Sequence, residues 1–143
     1  MSTNFENTNK AKNRALIKYL CEIGLYNYTL MICEAHSKQD WARINDVSLQ
    51  FEKDCYNIGE VKIAGKLILL RVQLQMNPID SYYIESTLRK IFELAYNLQL
   101  YLIEYLESLS VKLDENKLHY IKKMDDLYIE EYNRWPYNSC SLQ

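Results

Sequence analysis

Glycine and proline are scarce in this chain: 143 residues hold three of the first and two of the second. Collagen-like and loop-rich β classes, which depend on those residues for their turns, are excluded. Hydrophobic residues at 48% exclude a disordered polymer as well. Apolar runs stay short, as at Leu67-Ile68-Leu69-Leu70, far below the roughly 20 residues of a membrane span. The opening MSTNFENTNKAKNR is polar, without the apolar segment of a secretory leader. Neither sign of charge dominates: 17 basic and 19 acidic residues leave a net charge of −2, which argues against a nucleic-acid binder. The cysteines, at 21, 33, 55 and 140, include no C-x-x-C pair. Cys33-x-x-His36 has the spacing of half a zinc site, but no second pair follows, so no metal is expected. Reduced, intracellular cysteines acting as small buried hydrophobes fit better.

What is present is helical periodicity. Over residues 40–56, Trp41, Ile44, Val47 or Ser48, Phe51 and Cys55 recur at steps of three and four and make one apolar stripe. Gly59 is free to take a positive φ and stop that helix, with Asn57 tolerating a turn beside it. Over 60–76, Ile63, Leu67, Leu70 and Leu74 form a stripe that Val61, Ala64, Ile68 and Val72 widen. A helix this apolar is expected to be covered on two sides. It ends before Asn77-Pro78, because proline biases its predecessor away from the α region. Asp80 or Ser81 then caps a helix over 80–107, with Ile84, Leu88, Ile91, Leu94 or Ala95, Leu98, Tyr101 or Leu102, and Tyr105 on one face.

Upstream, Leu16, Leu20 and Ile23 begin a helical pattern over 13–37, and Gly24 either divides it in two or leaves it continuous. Residues 1–12 are expected to be flexible. Downstream, Asp114 caps a last helix over 114–134, with Leu118, Ile121, Met124 or Asp125, and Tyr128 on one face. The fold class expected is all-α: a single domain, with 13–107 an antiparallel four-helix bundle and a C-terminal helix added to it. Its core should contain Ile44, Phe51, Ile63, Leu67, Leu70, Ile91, Leu94 and Leu98.

Candidates for chemistry are few. There is no Gly-rich phosphate loop, no H-E-x-x-H and no G-x-S-x-G. His36 and His119 stand alone, each without a motif around it. Asp125-Asp126 and Glu130-Glu131 read as a solvated face interleaved with Lys122 and Lys123. The thirteen tyrosines suit helix edges, with the ring packed and the hydroxyl in water. No enzyme constellation emerges.

The stretch from Asp40-Trp41 through Gln50 to Ile58-Gly59 resembles the central hairpin of the histidine-containing phosphotransfer family, the helical-bundle carriers of multistep phosphorelays. Plant members read His-Gln-Leu-Lys-Gly and close on Ile-Gly after an acidic-aromatic start. Here Gln50 matches the glutamine, Phe51 replaces the leucine, and the spacing to Gly59 is kept without a gap. The phosphoacceptor histidine falls on Leu49, the lysine on Glu52 and the glycine on Lys53. An aliphatic side chain has no nucleophilic nitrogen to phosphorylate. The resemblance therefore implies a pseudo-phosphotransfer protein that binds receiver domains of response regulators or hybrid histidine kinases without carrying phosphate. It would damp a phosphorelay, of the cytokinin type in a plant, from the cytoplasm and the nucleus. It implies a partner-binding face of Asp46, Leu49, Gln50, Glu52 and Lys53, with no catalytic residue and no cofactor. A receiver's active site is acidic around a divalent cation, so Glu52 should repel it and Lys53 attract it. The alternative expectation is a non-enzymatic helical interaction or scaffold module unrelated to phosphorelays, binding protein through a tyrosine-rich face.

Overall fold

Several helices in this chain start at a carboxylate that accepts from their free amides or stop at a left-handed residue that lets the chain return to their last carbonyls. The computed structural model describes residues 10–135. They form α1 (Lys10–Tyr19), a π-helical turn (Leu20–Gly24), α2 (Leu25–Ser37), α3 (Trp41–Asn57), α4 (Val61–Leu74), α5 (Ser81–Ser108), a 3-10 turn (Glu115–Lys117) and α6 (Leu118–Tyr132). No strand occurs among the described residues. Asp40 caps α3 by accepting from the Arg43 amide at 3.1 Å, and Asp80 caps α5 by accepting from Tyr82 at 3.0 Å. Three helix ends share one geometry. After α2, α3 and α5, the residues Gln39, Gly59 and Ser110 take φ of 54°, 81° and 58°. The amides just beyond them, of Asp40, Glu60 and Val111, return to the carbonyls of Ala35, Cys55 and Leu106 at 2.8–2.9 Å.

Short connections make α2, α3, α4 and α5 sequential neighbours, and α2 also reaches α5, closing an antiparallel bundle. The N-terminal segment is one rod broken only by the π turn, and it begins at Lys10, ahead of the expected start. Residues 1–9 lie outside the described residues. Gly24 is the last residue of the π turn and does not end the rod, which runs on through it into α2. A Cβ at that position would lie 2.7 Å from the Tyr19 ring, so the glycine makes room for that side chain. α6 packs on α2, the π turn and α5 of its own chain.

Of the expected core, Ile44, Phe51, Ile63, Leu67, Leu70, Ile91 and Leu98 are buried. Leu94 is only half-buried, because Ala95 turns inward in its place. Likewise Leu102 is buried while Tyr101 is exposed, and Leu118 lies on the outside of α6. The larger correction concerns α4. Ala64 is buried with the Ile63-Leu67-Leu70-Leu74 stripe, but Val61, Ile68 and Val72 are 55%, 38% and 57% exposed. Only one side of α4 is covered among the described residues, because its main neighbours there are α3 and α5.

Candidate functional site

The outer strip of α3 follows helical spacing. Asp46, Leu49, Gln50, Lys53 and Tyr56 are all exposed, whereas Val47, Ser48, Phe51, Asp54 and Cys55 face the core. Leu49 sits mid-helix and is 48% exposed, so the position matched to a phosphoacceptor is open to solvent. Gln50 reaches along the helix to the next turn, its amide 3.4 Å from a carboxylate oxygen of Asp54. Glu52 departs from the expected face. Its side chain is 13% exposed and ion-paired to Arg71 of α4, so it ties the hairpin together and offers no free charge to a partner. The strip thus brings together four of the five expected residues and leaves the fifth inside the hairpin.

Behind this strip lies a pair that spacing alone did not indicate. The Tyr28 hydroxyl on α2 donates to Asp54, which is 9% exposed, and the Tyr28 ring stacks on Phe51 at 4.6 Å. Burial, followed by the hydrogen bond to Asp54, pushes the Tyr28 phenol far above its ordinary range. The pair anchors α3 to α2 directly beneath the exposed strip. A tyrosine and an aspartate 26 residues apart carry no sequence signal of pairing.

The remaining candidates are engaged in structure. His36 meets Glu85 at 3.1 Å and lies edge-on to Trp41 and Trp135, locking the end of α2 to α5. His119 is exposed, its ring 3.9 Å from that of Tyr120. Cys21, Cys33 and Cys55 are buried, and burial pushes all three thiols up, Cys21 to about 12. Cys140 lies outside the described residues. No cluster of three metal-ligating side chains occurs among the described residues. Asp126 pairs with Lys122 at 3.3 Å, while Glu131 is buried and bonded to Arg134 at 3.2 Å. Many of the tyrosines are packed against one another: Tyr96 stacks on Tyr128 at 4.2 Å, and Tyr128 touches Tyr132 at 4.8 Å.

No family model, curated protein or solved structure matches the chain. Among the described residues no helix is long and apolar enough to cross a membrane.

Proposed function

We propose that this chain docks receiver domains through the outer strip of α3 without carrying phosphate, as a pseudo-phosphotransfer protein that damps a multistep phosphorelay. The observation behind the reading is Leu49, half-exposed in the middle of α3, with Gln50 and Lys53 open beside it. The hairpin below them closes on Ile58-Gly59 at the retained spacing. Such a surface would keep the approach to a receiver and lack the imidazole. Competition with true carriers needs only occupancy of the shared receiver site, which follows mass action. With Glu52 held by Arg71, Lys53 is the charge facing a receiver's acidic cluster, worth about 0–1 kcal/mol at an exposed rim.

Pull-down with a receiver domain tests this. Binding should weaken with salt and with Lys53→Glu, and hold with Lys112→Glu, whose side chain is 84% exposed near α6. Rebuilding the acceptor requires attention to the hairpin: Glu52→Lys alone would set a cation against Arg71. Leu49→His and Lys53→Gly should therefore be combined with Glu52→Lys and Arg71→Glu. Phosphate acceptance from a phosphorylated receiver by that variant, and none by the wild type, is the expected result. Label on the wild type that disappears with His36→Gln or His119→Gln would point to a relocated acceptor and sink the reading.

A second reading, a helical interaction module with no link to phosphorelays, is favoured by the exposed apolar side of α4. A folded chain that binds no receiver would leave that reading in place.

A further inference from the structure

The seam between α4 and α5 holds a trough that the α3 strip does not use. Three hollows of about 480, 450 and 360 Å³ lie along it. The first and second share Val61, Lys62 and Leu94, and the second and third share Lys66 and Lys90, so the three are continuous. From Tyr101 at one end to Thr87 at the other, the trough spans about 21 Å along α5 at the rise of an α-helix.

Its lining is both apolar and basic. Val61 and Leu69 present exposed aliphatic side chains, and Lys62, Lys66 and Lys90 stand among them. The carboxylates along it are already engaged. Glu93 accepts from Lys90 at 2.9 Å, and the buried Glu60 caps the Lys62 amide at 3.1 Å. Lys62 and Lys66 have no carboxylate partner among the described residues, so the trough is locally positive on a chain whose net charge is −2.

Gly65 lines the middle of this trough. A glycine inside a helix is destabilising relative to alanine. A Cβ added there meets nothing within 4 Å, so packing among the described residues does not call for it. Close approach of a second backbone from outside would.

We propose that the trough binds an acidic amphipathic helix of a partner protein. The partner's apolar stripe would cross Gly65 between Val61 and Leu69, and its carboxylates would lie beside Lys62 and Lys66. About 21 Å accommodates four turns of helix, the scale of helix-in-groove recognition. Charge complementarity selects an acidic partner. The concave shape between two helices suits a rod better than a flat anionic membrane.

The test uses the full chain and a fluorescent, helix-forming peptide of about 15 residues with a leucine stripe flanked by glutamates. The same peptide with lysines replacing the glutamates, and vesicles containing phosphatidylserine, complete the set. Fluorescence anisotropy should show salt-sensitive binding of the acidic peptide alone. Lys62→Glu with Lys66→Glu should weaken it on the order of tenfold or more. Gly65→Trp, whose side chain would fill the trough, should abolish it while circular dichroism stays helical, and Lys112→Glu should leave it unchanged. Failure of the acidic peptide to bind overturns the proposal. So does equal binding of the two peptides, binding that survives both trough variants, or capture by vesicles alone.

Discussion

Gln99 donates its side-chain amide to the carbonyl of Cys21 at 3.2 Å, from the middle of α5 into the π turn of the N-terminal rod. A π turn displaces the regular i→i−4 pattern, and the Gln99 amide supplies the Cys21 carbonyl with a donor from outside the turn. Both residues are 0% exposed, and water cannot substitute for the amide. Gln99→Leu should cost about 1–3 kcal/mol in urea unfolding, the range for stranding a buried polar group. A cost near zero would mean that the carbonyl finds another donor.

The glycines Gly65 and Gly24 should respond differently to alanine. Gly65→Ala adds a methyl to open space and should stabilise the fold by about 0.5–1 kcal/mol. Gly24→Ala makes the Tyr19 ring move from its place 2.7 Å away, and should gain less or lose stability. Adding Tyr19→Ala to the Gly24 variant should close the gap, a coupling that thermal melts of the double-mutant cycle would read.

In the core, Leu67→Ala should cost about 2–5 kcal/mol, because its side chain is wholly buried. Leu94→Ala should cost less, since Leu94 is only partly buried. Equal losses in denaturant unfolding would contradict the placement of α5.

Alkaline conditions should destabilise the protein from the thiols outward. Burial, then the Glu22 carboxylate, raises Cys21 from an ordinary 9.0 to about 12, with Lys18 opposing. A raised pKa means the folded state holds its proton after the unfolded chain has released it. The stability that this group contributes is complete below about pH 9 and is lost as pH rises from there toward 12. Melting temperature against pH should fall across that window, and Cys21→Ala should flatten the fall. A wild-type curve with no loss between those limits would remove the argument.

The all-helical class and the order of helices could be read from the 3.6-residue period, since stripes such as Ile63-Leu67-Leu70-Leu74 are direct records of burial. Which edge of a wide stripe turns inward could not. Leu94 and Ala95 lie 100° apart on a helix, and the bundle's spacing decides between them. Apolar character misled at Val61, Ile68 and Val72, because it records compatibility with burial and not the presence of a neighbour. Gly59 announced its left-handed turn, whereas Gln39 and Ser110 adopt the same φ with side chains that give no such notice. On the candidate strip, the resemblance put Leu49, Gln50 and Lys53 on one partner-binding face, and their side chains were found exposed. Glu52 was not, since its partner Arg71 lies 19 positions on and meets it only once the hairpin closes.

The attachment of α6 has a consequence for how the molecule comes apart. Met124 is the only fully covered apolar side chain of the helix among the described residues; it is joined by the partly buried Leu127, stacked tyrosine rings, Arg89 over Tyr132 at 3.9 Å, buried Glu131, and Trp135 just beyond its end, buried against Phe92. An element with a single buried apolar side chain along its own length is a candidate to open as its own cooperative unit ahead of the bundle. Its departure would not be silent at the other end of the chain. Glu22, buried in the π turn, accepts from the Asp114 amide just before α6 and faces Lys117 at 4.0 Å. When that segment lifts, the carboxylate keeps Lys18 alone, and the irregular turn loses a contact that steadies it. Amide exchange in Leu20–Gly24 and in α6 should then rise together, so that the two segments loosen as one.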